Sequence, residues 1–379
     1  MLTAEGCAAR RSRLFAALPD ECEWVLIADP RHVNYLSAFL VNPISFSTSE
    51  RGFLLAERSG KATLLAENFS RRSASCDPFV DDEIIASWYD HKHSVENRDH
   101  ALFALLDPVL DIVEGRPGLV EAEWLPAMAA AELGADTTLQ DIEVGSVLRE
   151  LRRQKEPDEI ALLETCMRAC DAGHARALEV VRPGISELDV YREVQSAAIA
   201  AAGRPAIVYG DFRPTNAAIP KRGGLPTTDP LNDGDLLILD YSVVLDGYRS
   251  DFTNTIAVGE PTPQQEQIFS TVKSALETVE QTLRAGAAVR DVYRAASQVL
   301  EDAGHPPLAH HAGHGLGLGH PESPILVPES EDTLLAGDVV TLEPGLYVEG
   351  VGGVRLEHNY LITDEGCRRL SNHRLALKP

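Results

Sequence analysis

Three stretches in the second half of this 379-residue chain hold residues whose types and spacing could do chemistry. The first, LLILDYSVVLDGYRSDFTNTIAV (236–258), sets two β-rich runs on either side of Asp246-Gly247, a dipeptide that favours a two-residue type I′ hairpin turn. With that turn, Leu245 faces Tyr248, Ser242 faces Asp251 and Asp240 faces Thr253. Residues two apart share a sheet face, so Asp240 and Asp251 become diagonal neighbours on one side. Two carboxylates at that separation call for a proton or a cation between them, unless both lie on a solvated face.

The second stretch, LAHHAGHGLGLGHPESP (308–324), puts His310, His311, His314 and His320 among glycines that let backbone pass close to a crowded site. It has neither the Gly-Lys-Ser/Thr ending of a P-loop nor a GxGxxG after a strand, which sets nucleotide binding aside. His311, like His91, His93 and His305 elsewhere, reads as a solvent-exposed loop histidine. The third stretch, VVTLEPGLYVEGVGGVRLEHNYLIT (339–363), places Glu343 and Glu357 equally far from a turn near Gly350. An antiparallel hairpin with that symmetry sets the two glutamates opposite one another. Each pair alone also fits a solvated face, but two such pairs and a histidine cluster make a donor inventory for two metal ions. Four carboxylates and one imidazole suit Mn(II), Co(II), Fe(II) or Zn(II) better than a thiolate site would. Two such cations can turn a bridging water into hydroxide and polarise an amide or ester carbonyl, while a carboxylate takes the proton and a histidine steadies the oxyanion.

The elements that must position these residues fall into two sets. WVLIAD (24–29), GFLLAE (52–57) and KATLLAE (61–67) alternate with helix-like stretches such as HALFALLDPVLDIVEG, which predicts an α/β domain over residues 1–150. From Val147 an amphipathic helical stretch, interrupted at Pro157 and closed by RPG, opens a second domain over 151–379. There a helix after Ser186, an irregular loop at 215–233, a hairpin, helices near 263–285 and 289–303, and a final set of strands predict an α+β fold. The apolar fraction of 44% is that of a globular protein.

With 58 acidic against 34 basic residues, the formal charge of −24 opposes binding to nucleic acid or an anionic membrane. The N-terminal stretch has no apolar run long enough for a signal peptide or membrane span, so a cytoplasmic protein is expected. Six scattered cysteines predict reduced thiols, with Cys166 and Cys170 buried one helical turn apart.

The order Asp240, Asp251, His314 in GHGLG, Glu343 in TLEPG and Glu357 in GVRLE resembles the creatinase, aminopeptidase P and prolidase group of metallopeptidases. RQKEPDEIALLE (153–164) resembles that group's domain junction, and PRHVNYLSAF (30–39) part of its N-terminal domain. The resemblance implies a pita-bread catalytic domain, a smaller α/β N-terminal domain, a homodimer, and Xaa-Pro peptides as substrates. It assigns Asp240 to one metal, Asp251 and Glu357 as bridges, and His314 and Glu343 to the other metal, most often manganese, with Glu343 also accepting the proton. By the same resemblance His310 contacts substrate, His320 stabilises the reacting carbonyl and Arg355 binds substrate. Two departures stand out. The step from His314 to His320 is one residue shorter than in the group's peptidases, and AAIPKRGGLPTTDPLNDGD (217–235) has Lys221 and Arg222 near the place of their usual loop histidine. The second keeps alternatives in view: C–N hydrolysis or elimination on a small non-peptide substrate, or a non-catalytic binding protein.

Overall fold

The computed structural model of the chain describes residues 1–41, 52–93, 98–125, 129, 133 and 142–378. It divides into two compact units: Met1–Arg152 with Glu156–Asp158, and Arg153–Lys155 with Glu159–Pro379.

In the first unit, β1 (Trp24–Ile27), β2 (Gly52–Glu57), β3 (Ala62–Glu67), β4 (Asp82–Ala86) and β5 (Gly118–Val120) form one mixed sheet in the order β4-β3-β2-β1-β5. Every residue of β1, β2 and β3 is buried, which explains why these strands read as continuous apolar runs rather than as alternating ones. The helix Leu106–Val113 covers this sheet through Leu106, Val109 and Val113.

The second unit is built on two antiparallel frames. In one, β8 (Leu236–Leu245) lies between β10 (Phe252–Ala257) and β6 (Ile207–Asp211), and also pairs with β7 (Pro214–Thr215) and β9 (Tyr248–Arg249). Asp246 and Gly247 form the turn at φ of 49° and 82°, the left-handed values that a type I′ turn needs. The expected register follows: Leu245 pairs with Tyr248 and Asp240 with Thr253. On the other side of β8, Asp211 pairs with Asp240.

The second frame runs β12 (Glu322–Ile325), β11 (His314–Gly315), β13 (Val339–Leu342), β16 (His358–Ile362) and β17 (Cys367–Arg369), and a separate ribbon joins β14 (Gly345–Val348) to β15 (Gly352–Arg355). The glutamate hairpin is therefore two ladders rather than one. Leu342 pairs with His358 in the first and Gly345 with Arg355 in the second, so Glu343 and Glu357 keep the expected register but stand in the break between them. Their backbone amides turn away from each other: Glu343 donates to the Ala312 carbonyl at 2.9 Å and Glu357 to the Thr253 carbonyl at 3.0 Å. The break thus stitches the glutamates to the histidine loop and to β10.

Helices cover these frames. The helix Glu187–Ala202 starts at Ser186, whose hydroxyl accepts the Asp189 amide, and stops at left-handed Gly203. The helix from Pro263 opens with a capping box between Thr262 and Gln265 and ends at Glu280, five residues before the expected 285, where the Thr282 hydroxyl donates to the Val279 carbonyl. Cys166 and Cys170 are buried within the helix Pro157–Val180, and all six cysteines are free. Among the described residues no helix is long and apolar enough to cross a membrane.

The histidine loop approaches β13 so closely that a Cβ on Gly313 would stand 2.0 Å from the Thr341 carbonyl oxygen. That contact is with backbone and cannot relax by a rotamer change. Gly313→Ala is expected to cost about 1–3 kcal/mol, read as a lower denaturation midpoint of the metal-free protein; an unchanged midpoint would show that the loop does not pack this way.

Candidate metal centre

The two hairpins and the histidine loop deliver their side chains to one cavity of about 460 Å³, walled by Asp240, Asp251, His310, His311, His314, His320, Glu343 and Arg355, with Tyr209, Asp211, Lys221, Ser242 and Arg249 among its other residues. Three groups of potential metal donors meet there, one of them His310, His311 and Glu343. Asp240, Glu343 and Glu357 bring carboxylate oxygens within 4.8 Å of one another, and Asp251, His314 and His320 do the same with oxygen and ring nitrogens. His314 links the groups, because its Nε2 lies 3.5 Å from both Asp251 Oδ2 and Glu343 Oε1. Its Nδ1 is 2.9 Å from the Gly315 carbonyl, which fixes a proton there and leaves Nε2 free as a donor to a cation.

These groups are out of water: Glu357 is 1% exposed, His314 2%, Asp251 5% and Glu343 7%. Burial pushes Glu343 up to about 7, with repulsion from Asp240 and Asp251 added against relief from His314 and Arg355. Burial and the surrounding carboxylates raise Glu357 well above the usual range, and burial, despite Arg355, raises Asp240. For Asp251, burial is outweighed by hydrogen bonds with His314 and His320, and its pKa falls; the His320 Nε2 contact is 2.5 Å. Burial would depress His314, but Asp251 and Glu343 raise it to about 9.

The donor set fits divalent cations. Glu357 Oε2 accepts the Thr253 hydroxyl at 2.7 Å, but its Oε1 is buried without a partner. A buried, unanswered carboxylate oxygen beside two further carboxylates is costly unless a cation fills the gap.

The remaining expected residues also reach the cavity. His310 sets Nδ1 2.8 Å from the His311 carbonyl and Nε2 3.2 Å from the Tyr347 hydroxyl. Arg355 pairs with Asp240 and donates Nη1–H to Tyr347 at 3.1 Å. His311 is a correction: instead of projecting to solvent, it lines the cavity with Nε2 3.5 Å from Glu343 Oε1. It does so because Gly313 lets the chain fold tightly against β13, a tertiary approach that a count of loop histidines does not reveal. Asp211, Tyr347 and Thr253 were also not singled out, although Thr253 appeared in the hairpin register opposite Asp240.

Fold and donor set together define a metallopeptidase. The chain belongs to metallopeptidase family M24, which residues 161–364 match. It is 29% identical over 275 residues to an Xaa-Pro dipeptidase of Pyrococcus horikoshii, covering 71% of this chain and 77% of that protein. Among solved structures it is similar to an Xaa-Pro dipeptidase from Bacillus anthracis, with a TM-score of 0.75 and 24% identity over 98% of this chain and 99% of the other. An X-Pro aminopeptidase from Thermotoga maritima gives the same TM-score at 18% identity, covering 98% and 99% of the two chains. The fold is therefore the pita-bread fold of prolidases and aminopeptidases P preceded by an α/β unit.

Cation loading of this centre must displace protons, because ligands bind in their deprotonated forms. With Glu343 at about 7 and His314 at about 9 in the metal-free protein, affinity is expected to weaken as pH falls from 9 towards 6. Titration calorimetry with Mn(II) in buffers of different ionisation heat should give net proton release at pH 7; affinity independent of pH over that window would overturn the ligand set.

Proposed function

We propose that the chain hydrolyses Xaa-Pro peptide bonds with two divalent cations held by Asp240, Asp251, His314, Glu343 and Glu357, manganese being the most suitable metal. The observation that carries this reading is the buried, unpartnered Glu357 oxygen among carboxylates beside the cavity. The Xaa-Pro dipeptidase relative supports the substrate class. Residues 151–379 form the catalytic domain and 1–150 a creatinase-type N-terminal domain in a cytoplasmic homodimer.

When bound, the cations would acidify a water shared between them and polarise the scissile carbonyl. Glu343 takes the water's proton and is placed to pass it to the leaving nitrogen. His320, half-exposed at the cavity wall, steadies the oxyanion that forms on the substrate. His310 stays neutral near pH 7, since burial and then Arg355 lower it to about 4, so it contacts substrate as a hydrogen-bonding group without charge. Arg355 binds substrate from a position set by Asp240 and Tyr347. The cavity volume lies within the ~300–1,000 Å³ of small-molecule sites, a size for short peptides and not for folded proteins.

A second reading, C–N hydrolysis or elimination on a small non-peptide molecule, is favoured by Lys221 on the cavity wall, near the place where the family resemblance leads one to expect a loop histidine. One experiment separates the two. Metal-loaded protein is expected to cleave Ala-Pro, to spare matched peptides lacking proline, and to stop when chelator is added. Two bound metals with every peptide intact would move the activity to the second reading. Asp251→Ala is expected to abolish both metal occupancy and turnover; metal content and turnover equal to wild type would remove Asp251 from the centre.

A further inference from the structure

The cavity wall carries three cations besides the donor set, and they stand in two places. Arg355 and Lys221 both meet Tyr347, the first through its hydroxyl and the second over its ring. Arg249 stands apart from them, on the Asp251 side. The turn at Asp246-Gly247 puts it there, because Arg249 pairs with Val244 on β8 and Ser242 lies two residues along the same face. Its Nε–H and Nη2–H donate to Ser242 Oγ at 3.2 and 2.9 Å, and the Ser242 hydroxyl donates on to Asp251 Oδ1 at 3.3 Å. Its backbone amide donates to the Gly317 carbonyl at 3.2 Å, which ties β9 to the histidine loop. This charge has no counter-ion in contact. Among the described residues the Arg249 side chain forms no ion pair, its acceptor is a neutral hydroxyl, and its Nη1 meets no acceptor although it is not sealed from solvent. Asp251 itself is engaged by His314 and His320. Burial works against the Arg249 charge, Asp251 and Asp240 favour it, and a guanidinium does not shed its proton to escape the cost.

A half-buried guanidinium that is held along one edge and faces substrate space with Nη1 free is suited to a carboxylate, which it can grip through two N–H donors. The part of a peptide that would carry this carboxylate follows from the leaving side. Glu343, which serves the leaving nitrogen, groups with His310 and His311. The leaving residue therefore lies towards those histidines, and the residue before the scissile bond lies towards Asp251, Ser242 and Arg249. That residue has its α-carboxyl in the peptide bond and a cationic amino group, so the anion it can offer Arg249 is a side-chain carboxylate. We propose that Arg249 determines specificity by binding an acidic side chain on the residue before the scissile bond, which makes the chain prefer Asp-Pro or Glu-Pro to their amide counterparts. The proposal rests on the peptidase reading above and extends it to the identity of the first residue.

The test compares wild type, Arg249→Met and Arg249→Lys, each loaded to the same metal content, on two pairs of nearly isosteric dipeptides: Asp-Pro with Asn-Pro, and Glu-Pro with Gln-Pro. KM and kcat are separated, and calorimetry measures the binding of glutamate and glutamine in parallel. Wild type is expected to favour the acid over the amide in at least one pair by about 10–100-fold, the value of a hydrogen bond to a charged group, mostly through KM. Arg249→Met should bring that ratio close to unity, and Arg249→Lys should keep part of it. The proposal is overturned if wild type prefers the acid in neither pair, if Arg249→Met keeps the preference, or if that variant loses acid and amide turnover equally. If wild type cleaves no Xaa-Pro substrate, the peptidase reading fails by itself, and binding decides on Arg249. Glutamate bound more tightly than glutamine in wild type, with the difference gone in Arg249→Met, sustains the carboxylate site; equal binding, or a difference that the variant keeps, ends it.

Discussion

Mutual repulsion among Asp240, Asp251, Glu343 and Glu357 is the constraint around which the second unit is organised. In water such groups separate or take protons; here β strands hold them together at exposures of a few per cent for three of the four. The protein answers part of the charge itself, through Arg355 on Asp240, His314 and His320 on Asp251, and the Thr253 hydroxyl on Glu357. Burial, with the remaining repulsion added to it, raises the proton affinities of Glu343 and Glu357. A frame that keeps unmet negative charge at one point has built its affinity for cations into its backbone, because relieving the repulsion by moving a strand would expose the core behind it.

That frame works by interrupted pairing. Had β13–β16 and β14–β15 formed one uninterrupted ladder, the amides of Glu343 and Glu357 could have been spent within it. In the break they instead reach Ala312 and Thr253, so three separate stretches of chain are tied together at the carboxylates. Asn359 adds another tie by donating its side-chain amide to the Asp251 carbonyl. Core residues such as Leu342, Val354 and Leu356, all buried, hold the hairpin in place from the apolar side.

The parts legible in the sequence were those set by local rules. Asp246-Gly247 dictates a tight turn, and that turn alone fixes Asp240 opposite Thr253; the symmetry of Glu343 and Glu357 about Gly350 survives as register even though the ladder divides. Buried strands of the first unit were likewise visible as apolar runs. What escaped depends on contacts between distant stretches. His311 enters the cavity only because Gly313 packs on β13, and Asp211 becomes a neighbour of Asp240 through the pairing of β6 with β8, which no motif announces. The end of the helix at Glu280 escaped for a different reason: residues 281–285 keep helix-compatible side chains, while the last carbonyls are met by the Gln281 amide and the Thr282 hydroxyl.

The same division separates what the scaffold fixes from what it leaves free. The carboxylates sit in or beside paired strands, where a substitution disturbs register, core and charge together. Lys221 instead belongs to the irregular loop between β7 and β8, held by short local ties such as Asn216 Oδ1 accepting the Ala218 and Ile219 amides and Asp211 Oδ1 accepting the Gly224 amide. A side chain there can be exchanged without altering a ladder, yet it faces the same cavity as the carboxylates. An exchange at this loop therefore leaves the carboxylate frame intact, whereas moving the carboxylates would mean rebuilding both hairpins.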